Sequence, residues 1–224
     1  IESKRNLINQ KVYGEPMNNV TIPVVVHVVY SNAQNNISDS RIFSQIQVLN
    51  EDFRRTNSDA INTPSQFQSV VADMSINFCL ATKDPDGNPT NGIIRKFTNK
   101  SGFSLYDTTI HYNATGGSDA WDSDKYLNIW VCNINGGILG WAQFPYAGTK
   151  ETDGVVINHD NFGINLNYSS AYNLGRTTTH EVGHWLNLFH VWGDNTCGDD
   201  FVFDTPTQEQ ANYGCKIHPH ISCQ

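Results

Sequence analysis

The chain has 224 residues, enough to bury a full core either as one large domain or as two subdomains that share a cleft. Its 14 basic and 22 acidic residues give a net charge of −8, the wrong sign for binding phosphate backbones, so we expect no nucleic-acid partner. No apolar run approaches the ~18 residues of a membrane span, and the N-terminal stretch lacks the apolar core of a signal peptide. The sequence therefore predicts a soluble, mature chain that needs no membrane.

Hydrophobic periodicity predicts the secondary structure in chain order. A β-branched run at residues 20–30 predicts a strand covered on both faces, at the centre of a sheet. Apolar residues at spacings of four, three and four within 38–57 predict an amphipathic helix with Ser38 as its N-cap. Turn-rich segments separate further strand-like runs at 75–81, 92–97, 126–134 and 154–159. We predict a mixed sheet with at least two helices, followed after about residue 191 by an irregular tail.

The stretch TTTHEVGHWLNLFH, residues 177–190, carries three histidines around one glutamate. Apolar residues at helical spacing place it on a helix, which we expect to begin at Asn173 or a nearby serine. His180 and His184 are four residues apart, so they project from one helix face and can bind one metal ion, with Glu181 at its open side. Zinc suits neutral imidazoles and lowers the pKa of a bound water to ~7, which makes Glu181 the candidate general base.

The alternative is an ordinary helix, but a third histidine at a fixed distance makes a chance pattern rare, so the metal site is favoured. The remaining histidines lack such spacing and are expected in the core or on the surface: His27, His111, His159, His218 and His220.

The motif HEVGHWLNLFH resembles the metzincin zinc signature H-E-x-x-H-x-x-G-x-x-H. Together with DAWDSDKYLNIWVC, GWAQFP, DGVVI and DTP, it makes the chain similar, from about residue 20 to its end, to the pappalysin family of secreted metalloendopeptidases. The resemblance implies an α+β fold, with an upper mixed, twisted sheet and two long helices across a zinc-containing cleft from a lower irregular subdomain. It implies residues 1–190 as the upper subdomain, 191–224 as the lower one, and His180, His184 and His190 as zinc ligands.

Asn187 departs from the family pattern, because it stands where the signature has glycine. His190 can reach the metal only if the helix ends abruptly and the chain turns back, which requires a residue with positive φ. Asparagine tolerates that conformation better than other non-glycine residues. We therefore expect Asn187 to be a left-handed cap and keep His190 as a ligand.

The segment NGGILGWAQFP, residues 135–145, predicts a glycine-rich approach to a short edge strand that ends at Pro145. The resemblance places this segment on the rim of the cleft, where an edge strand can pair with an extended peptide. Gly140, Trp141 and Ala142 are then the candidate backbone contacts to substrate. An ordinary edge strand with Trp141 in the core is an equally open interpretation.

An acidic loop follows the histidine motif, in residues 193–206. Oxygen-rich loops suit calcium, although charge alone slightly favours a solvated acidic turn. The resemblance implies calcium here, with ligands at Asp200, the Phe203 carbonyl, Asp204 and Thr205.

Cysteines crowd the C-terminal end, which indicates an oxidising compartment. Spacing leaves three pairings open among Cys197, Cys215 and Cys223, and the resemblance implies Cys197–Cys223 with Cys215 left over. Cys79 and Cys132 are open to either buried thiols or a bridge.

A methionine turn is the feature of similar metzincins that has no counterpart here, because the only methionines, Met17 and Met74, precede the histidine motif. The 34 residues after His190 are therefore expected to form a truncated lower subdomain.

These features predict a secreted, monomeric zinc endopeptidase that binds zinc and calcium and cleaves internal bonds of extended proteins or peptides. One alternative is a zinc hydrolase that does not cleave peptides. Another is a catalytically silent zinc/calcium-binding module, against which stand Glu181 and a set of three histidines that leaves a fourth metal position open.

Overall fold

The computed structural model describes residues 19–203, 205–214, 216, 220, 222 and 223. Its strands and helices follow the predicted order closely. They are β1 (Val20–Tyr30), α1 (Asp39–Phe53), β2 (Ile76–Leu80), β3 (Ile93–Phe97), β4 (Leu127–Cys132), β5 (Gly140–Ala142), β6 (Val155–Asn158) and α2 (Arg176–Trp185).

One sheet contains all six strands: five follow the order β2-β1-β4-β6-β5, and β3 pairs with β1 outside that order. The long strand β1 lies inside it, as predicted, and β2 and β3 pair with its first and second halves along the same edge. All pairings are parallel except that of β5 with β6, which is antiparallel. Helices on one side and loops on the other cover β1, so residues 24–29 of its β-branched sequence are buried on both faces.

Two hydrophobic clusters lie on the two faces of the sheet, because successive strand residues point to opposite sides. In β4, Ile129 packs on the face that carries α1 and α2, whereas Trp130 packs on the opposite face. In β5, Ala142 packs on the helical face and Trp141 on the opposite one. The helical face is the side of the sheet that carries α1 and α2, and the opposite face is the other side.

The two helices begin in different ways. Ser38 is the N-cap of α1, as predicted, and its side chain accepts a hydrogen bond from the Arg41 backbone N–H. The prediction that Asn173 or a serine caps α2 is wrong, because the N-cap is Gly175 in the left-handed conformation, without a side-chain cap. The Asn173 amide instead donates to the Tyr168 carbonyl. At 10 residues, α2 is shorter than the 15-residue α1.

The described residues after His190 form no helix or strand. A disulfide joins Cys197 to Cys223, with their Cα atoms 5.9 Å apart, in agreement with the predicted pair. Cys215 lies outside the described residues. Cys79 and Cys132 are free thiols, of which Cys132 is buried. Within the described ranges, no helix combines the length and apolar character that a membrane crossing requires.

Candidate metal centre and cleft

The three histidines of the motif converge at the end of α2. The Nε2 atom of His184 lies 3.0 Å from that of His180 and 3.2 Å from that of His190, and the last pair, His180 and His190, is also 3.2 Å apart. The first two rings meet because they are one helical turn apart. The structure thus brings together all three residues that the sequence predicts as ligands.

Asn187 turns the chain so that His190 can reach the other two rings. It has φ of 77°, which confirms the predicted left-handed conformation. Its backbone N–H donates to the His184 carbonyl at 2.8 Å, and the Leu188 N–H donates to the Gly183 carbonyl at 2.9 Å. These are the two bonds of a Schellman motif, which ends a helix and reverses the chain.

Two of the rings are oriented by hydrogen bonds at their far nitrogens. The His184 Nδ1 atom lies 2.6 Å from the Leu188 carbonyl oxygen, and the His190 Nδ1 atom lies 2.7 Å from Asp194 Oδ1. A carbonyl and a carboxylate only accept, so both Nδ1 atoms carry the proton. In the neutral form of each ring, Nε2 then presents its lone pair toward the centre of the trio.

The residues fit a zinc ion. Lone pairs that face each other across about 3 Å repel unless a cation lies between them. Tetrahedral ligands at the usual zinc–nitrogen distance of about 2.0–2.1 Å would lie about 3.3 Å apart, close to the observed spacing. Burial lowers the pKa of His180 to about 4 and also lowers that of His184, so both rings are neutral, as metal ligands must be. Among the described residues, these histidines are the only group of three potential ligands that converges.

Glu181 is the buried carboxyl group beside the trio, with 7% of its surface exposed. Burial raises its pKa to about 7. The adjacent strand comes close to it at Gly140, where an added Cβ atom would lie 3.1 Å from Glu181 Cγ and 2.9 Å from the Val156 carbonyl oxygen. Glycine at position 140 therefore lets the edge strand approach the carboxylate.

β5 has one unpaired edge in the described part of the chain, since it stands last in the sheet and pairs only with β6. Trp141 is buried on the opposite face. Its side chain is therefore part of the core, as the alternative interpretation expects, while the backbone of Gly140–Ala142 can still receive an extended strand.

Several residues that support this centre were not predicted from the sequence. Asp194, which orients His190, was assigned only to the acidic loop, although its place four residues after His190 was an available signal. Phe144 packs its ring 5.1 Å from that of His184. The buried Gln45 of α1 accepts a hydrogen bond from Thr178 of α2 at 2.8 Å, a long-range contact that no spacing reveals.

The predicted calcium ligands of the acidic loop differ in their burial. Asp200 is buried, and its Oδ1 atom accepts a hydrogen bond from the Val202 N–H at 2.9 Å. Phe203 is fully exposed, Thr205 is half-buried, and Asp204 lies outside the described residues. The described residues of this loop do not form a cluster of three convergent acidic groups.

None of the other described histidines belongs to this converging group. His27, His111 and His159 are buried, and His220 is exposed. His218 lies outside the described residues.

A mostly parallel sheet packed on two helices, with a histidine trio that converges at the end of the second helix, matches the metzincin class of folds. The family model described as Pregnancy-associated plasma protein-A, the M43 peptidases, matches residues 111–223. The chain belongs to this family, the pappalysins.

Solved structures and curated relatives agree with this assignment. Mature mirolysin of Tannerella forsythia, solved with a cleaved peptide, is 50% identical, with 92% of this chain and 78% of that one covered and a TM-score of 0.88. A promirolysin mutant of the same organism is 48% identical, with coverages of 98% and 73% and a TM-score of 0.90. An extracellular metalloprotease of Pyricularia oryzae is 31% identical over 207 residues, which cover 88% of this chain and 60% of the relative. The chain thus spans about 60% of the length of the curated relatives that it matches.

Proposed function

We propose that the protein is a secreted zinc endopeptidase that hydrolyses internal peptide bonds. The observation that carries this proposal is the convergence of three histidine Nε2 atoms, 3.0–3.2 Å apart, beside a buried glutamate and a free strand edge. Supporting this, the chain belongs to a peptidase family and its curated relatives are named extracellular metalloproteases.

His180, His184 and His190 would hold the zinc, and Glu181 would act as general base. When bound, zinc supplies a Lewis acid that polarises a peptide carbonyl and makes water more acidic. Glu181 accepts the proton of the attacking water and passes it to the departing amine. The Leu188 carbonyl and Asp194 hold the His184 and His190 rings with Nε2 unprotonated.

The substrate would be a protein or peptide in extended form. We place its backbone against the free edge of β5, where the N–H and C=O groups of Gly140, Trp141 and Ala142 can pair with it as with a neighbouring strand. Mirolysin, about half identical to this chain, was solved with a cleaved peptide. We further propose that the protein acts as a monomer, which analytical ultracentrifugation would check.

Peptide hydrolysis under zinc titration tests the proposal against both alternatives. The zinc-free chain should gain activity on a quenched peptide library up to one zinc per molecule. Glu181→Gln should still bind zinc but lose roughly 10³-fold or more in kcat/KM, because it cannot accept the proton. Zinc binding without cleavage of any peptide would support a silent module, and cleavage of esters alone would support a different hydrolase.

We also propose that calcium binds the loop around Asp200, whose buried carboxylate is the best candidate ligand there. A cation that binds only the folded form raises stability by mass action, so the melting temperature should rise with calcium at constant zinc. Asp200→Ala should abolish that rise and the exposed Asp86→Ala should not. An Asp200→Ala protein that responds as the parent does would refute this assignment.

A division into subdomains at residue 190 is our last proposal on organisation. Both hydrophobic clusters draw their described members from residues before 190. The described part after it has a disulfide and no helix or strand. Within residues 19–223, limited proteolysis should therefore cut first after residue 190.

A further inference from the structure

The side chains of β5 alternate between the two faces of the sheet, and this alternation determines the face on which each side chain of a bound substrate lies. Gly140 faces Glu181 and Ala142 packs on the helical face, whereas Trp141 packs on the opposite face. A peptide that adds to the free edge of β5 continues the pleat, so its side chains also alternate between the two faces. Every second substrate side chain therefore lies on the face that carries Trp141, away from α2.

A cavity of about 340 Å³ opens on that face beside the end of β5. Its aromatic walls are Tyr106, Trp141 and Phe144. The Tyr106 and Trp141 rings meet edge to face, with centroids 6.3 Å apart. A cavity of this volume lies at the lower end of the range for ligand pockets and holds one large side chain.

The chemistry of the cavity favours an uncharged occupant. Among the residues that the structure describes, no Lys, Arg, Asp or Glu lines it. The described lining includes the buried His111, and burial lowers the pKa of that ring to about 4, so it is neutral near pH 7. Gln143 and Thr152 bind each other, since the Thr152 hydroxyl donates to the Gln143 carbonyl oxygen at 2.5 Å. Aromatic surface therefore remains as the main available contact.

The cavity is close to the reacting groups. Phe144, one of its walls, packs 5.1 Å from the His184 ring, while Gly140, four residues earlier, lies against Glu181. Four residues of a strand span about 13 Å. A side chain in the cavity thus belongs to a substrate residue within about four positions of the cleaved bond.

We propose that this cavity is a specificity subsite of the endopeptidase, which takes a bulky uncharged side chain, aromatic or aliphatic, from a substrate residue within four positions of the cut. The subsite rests on the proposed peptidase function. The subsite predicts that the enzyme prefers certain side chains at one substrate position, whose side chain points away from α2.

Positional scanning of a quenched peptide, with the zinc-loaded chain, tests the subsite. One position should prefer Phe, Tyr or Leu over Ala, Asp or Lys by about tenfold in kcat/KM. Tyr106→Ala removes a wall and should reduce that preference about fivefold or more. Ala147→Trp fills the cavity from its lining and should reverse the preference in favour of Ala. Tyr146→Ala, which removes a fully exposed tyrosine outside the lining, should change nothing.

The outcomes separate the two proposals. Absence of cleavage of any peptide by the wild-type chain defeats the peptidase function itself. Cleavage whose preference at every position within four residues is unaltered by Tyr106→Ala overturns the subsite and leaves the peptidase function intact. An equal fall in kcat/KM for all peptides, including those with Ala at the preferred position, would also overturn it. Circular dichroism should show that each variant folds. If Ala147→Trp does not fold, Tyr106→Ala alone decides the subsite proposal.

Discussion

Histidines on the two faces of the sheet use their ring nitrogens in opposite ways. On the helical face, the rings of His180, His184 and His190 turn their Nε2 atoms toward one another. On the opposite face, the fully buried His27 has Nδ1 2.9 Å from the Ser118 hydroxyl and Nε2 3.0 Å from Asn128 Oδ1. One set therefore presents lone pairs to a shared point, while His27 has both nitrogens satisfied by the protein.

This difference shows that burial alone does not mark a metal ligand. Burial lowers the pKa of both His27 and His180 to about 4, so both rings are neutral. What distinguishes them is whether a protein group already occupies the nitrogen lone pair. Removing a histidine from each face should accordingly have different consequences.

The largest expected effect is on zinc affinity. His184→Ala removes one of three ligands, together with the ring held by Leu188, and should weaken zinc binding roughly 10³-fold. Competition with a chromophoric chelator measures this. Exposed His220→Ala is the matched control and should bind zinc as the parent does. An equal loss of zinc affinity in both variants would contradict the claim that the histidine trio binds zinc and the other histidines do not.

The next effect is on acid stability, through His27. Its folded-state pKa of about 4 is below the unfolded value of about 6.5, because burial outweighs the Asn128 hydrogen bond. As the pH falls, the unfolded chain therefore binds the proton before the folded chain does. The free energy of unfolding decreases by about 3 kcal/mol between pH 6.5 and pH 4. His111, whose ring also contacts Trp130, lowers the pKa of His27 further, whereas the charge of Asp119 raises it.

Urea unfolding of the parent and of His27→Gln between pH 4 and 7 measures this dependence. The difference between their free energies of unfolding cancels the titration of most other groups. It should shrink toward acid pH, since the variant has no proton to take up. A difference that stays constant with pH would contradict a neutral His27.

Asp194 should have a smaller effect on the metal. Asp194→Ala leaves the His190 ring without its 2.7 Å partner and should weaken zinc binding by about 10–100-fold. Asp194→Asn keeps an acceptor oxygen and should restore much of the affinity. Asp199→Ala, which removes a neighbouring carboxylate without a histidine contact in the described structure, is the control. A parental zinc affinity in Asp194→Ala would exclude the positioning role.

The smallest effect concerns the turn at Asn187. Asn187→Ala should reduce stability by about 1 kcal/mol, because alanine lacks the polar side chain that offsets the cost of a positive φ. Asn187→Gly should be at least as stable as the parent. Thermal unfolding of the three proteins ranks them, and an alanine variant equal to the parent would show that the Asn187 side chain does not offset the cost of the positive φ.

Periodic and local features of this molecule were predictable from the sequence. The strands follow from apolar and β-branched runs, α1 follows from apolar residues at helical spacing, and the left-handed Asn187 follows from the need to return His190. Residues whose role depends on distant partners were not predictable. Gln45 meets Thr178 only after the two helices pack. The N-cap of α2 is Gly175, while the expected cap, Asn173, donates to a loop carbonyl.

Zinc K-edge X-ray absorption of the chain loaded with one equivalent of zinc tests most directly whether the three histidines hold the metal. We predict three imidazoles with nitrogen at about 2.0–2.1 Å, no sulfur at about 2.3 Å, and one imidazole fewer in His184→Ala. Sulfur in the first coordination shell, or an unchanged spectrum in that variant, would contradict the proposed centre.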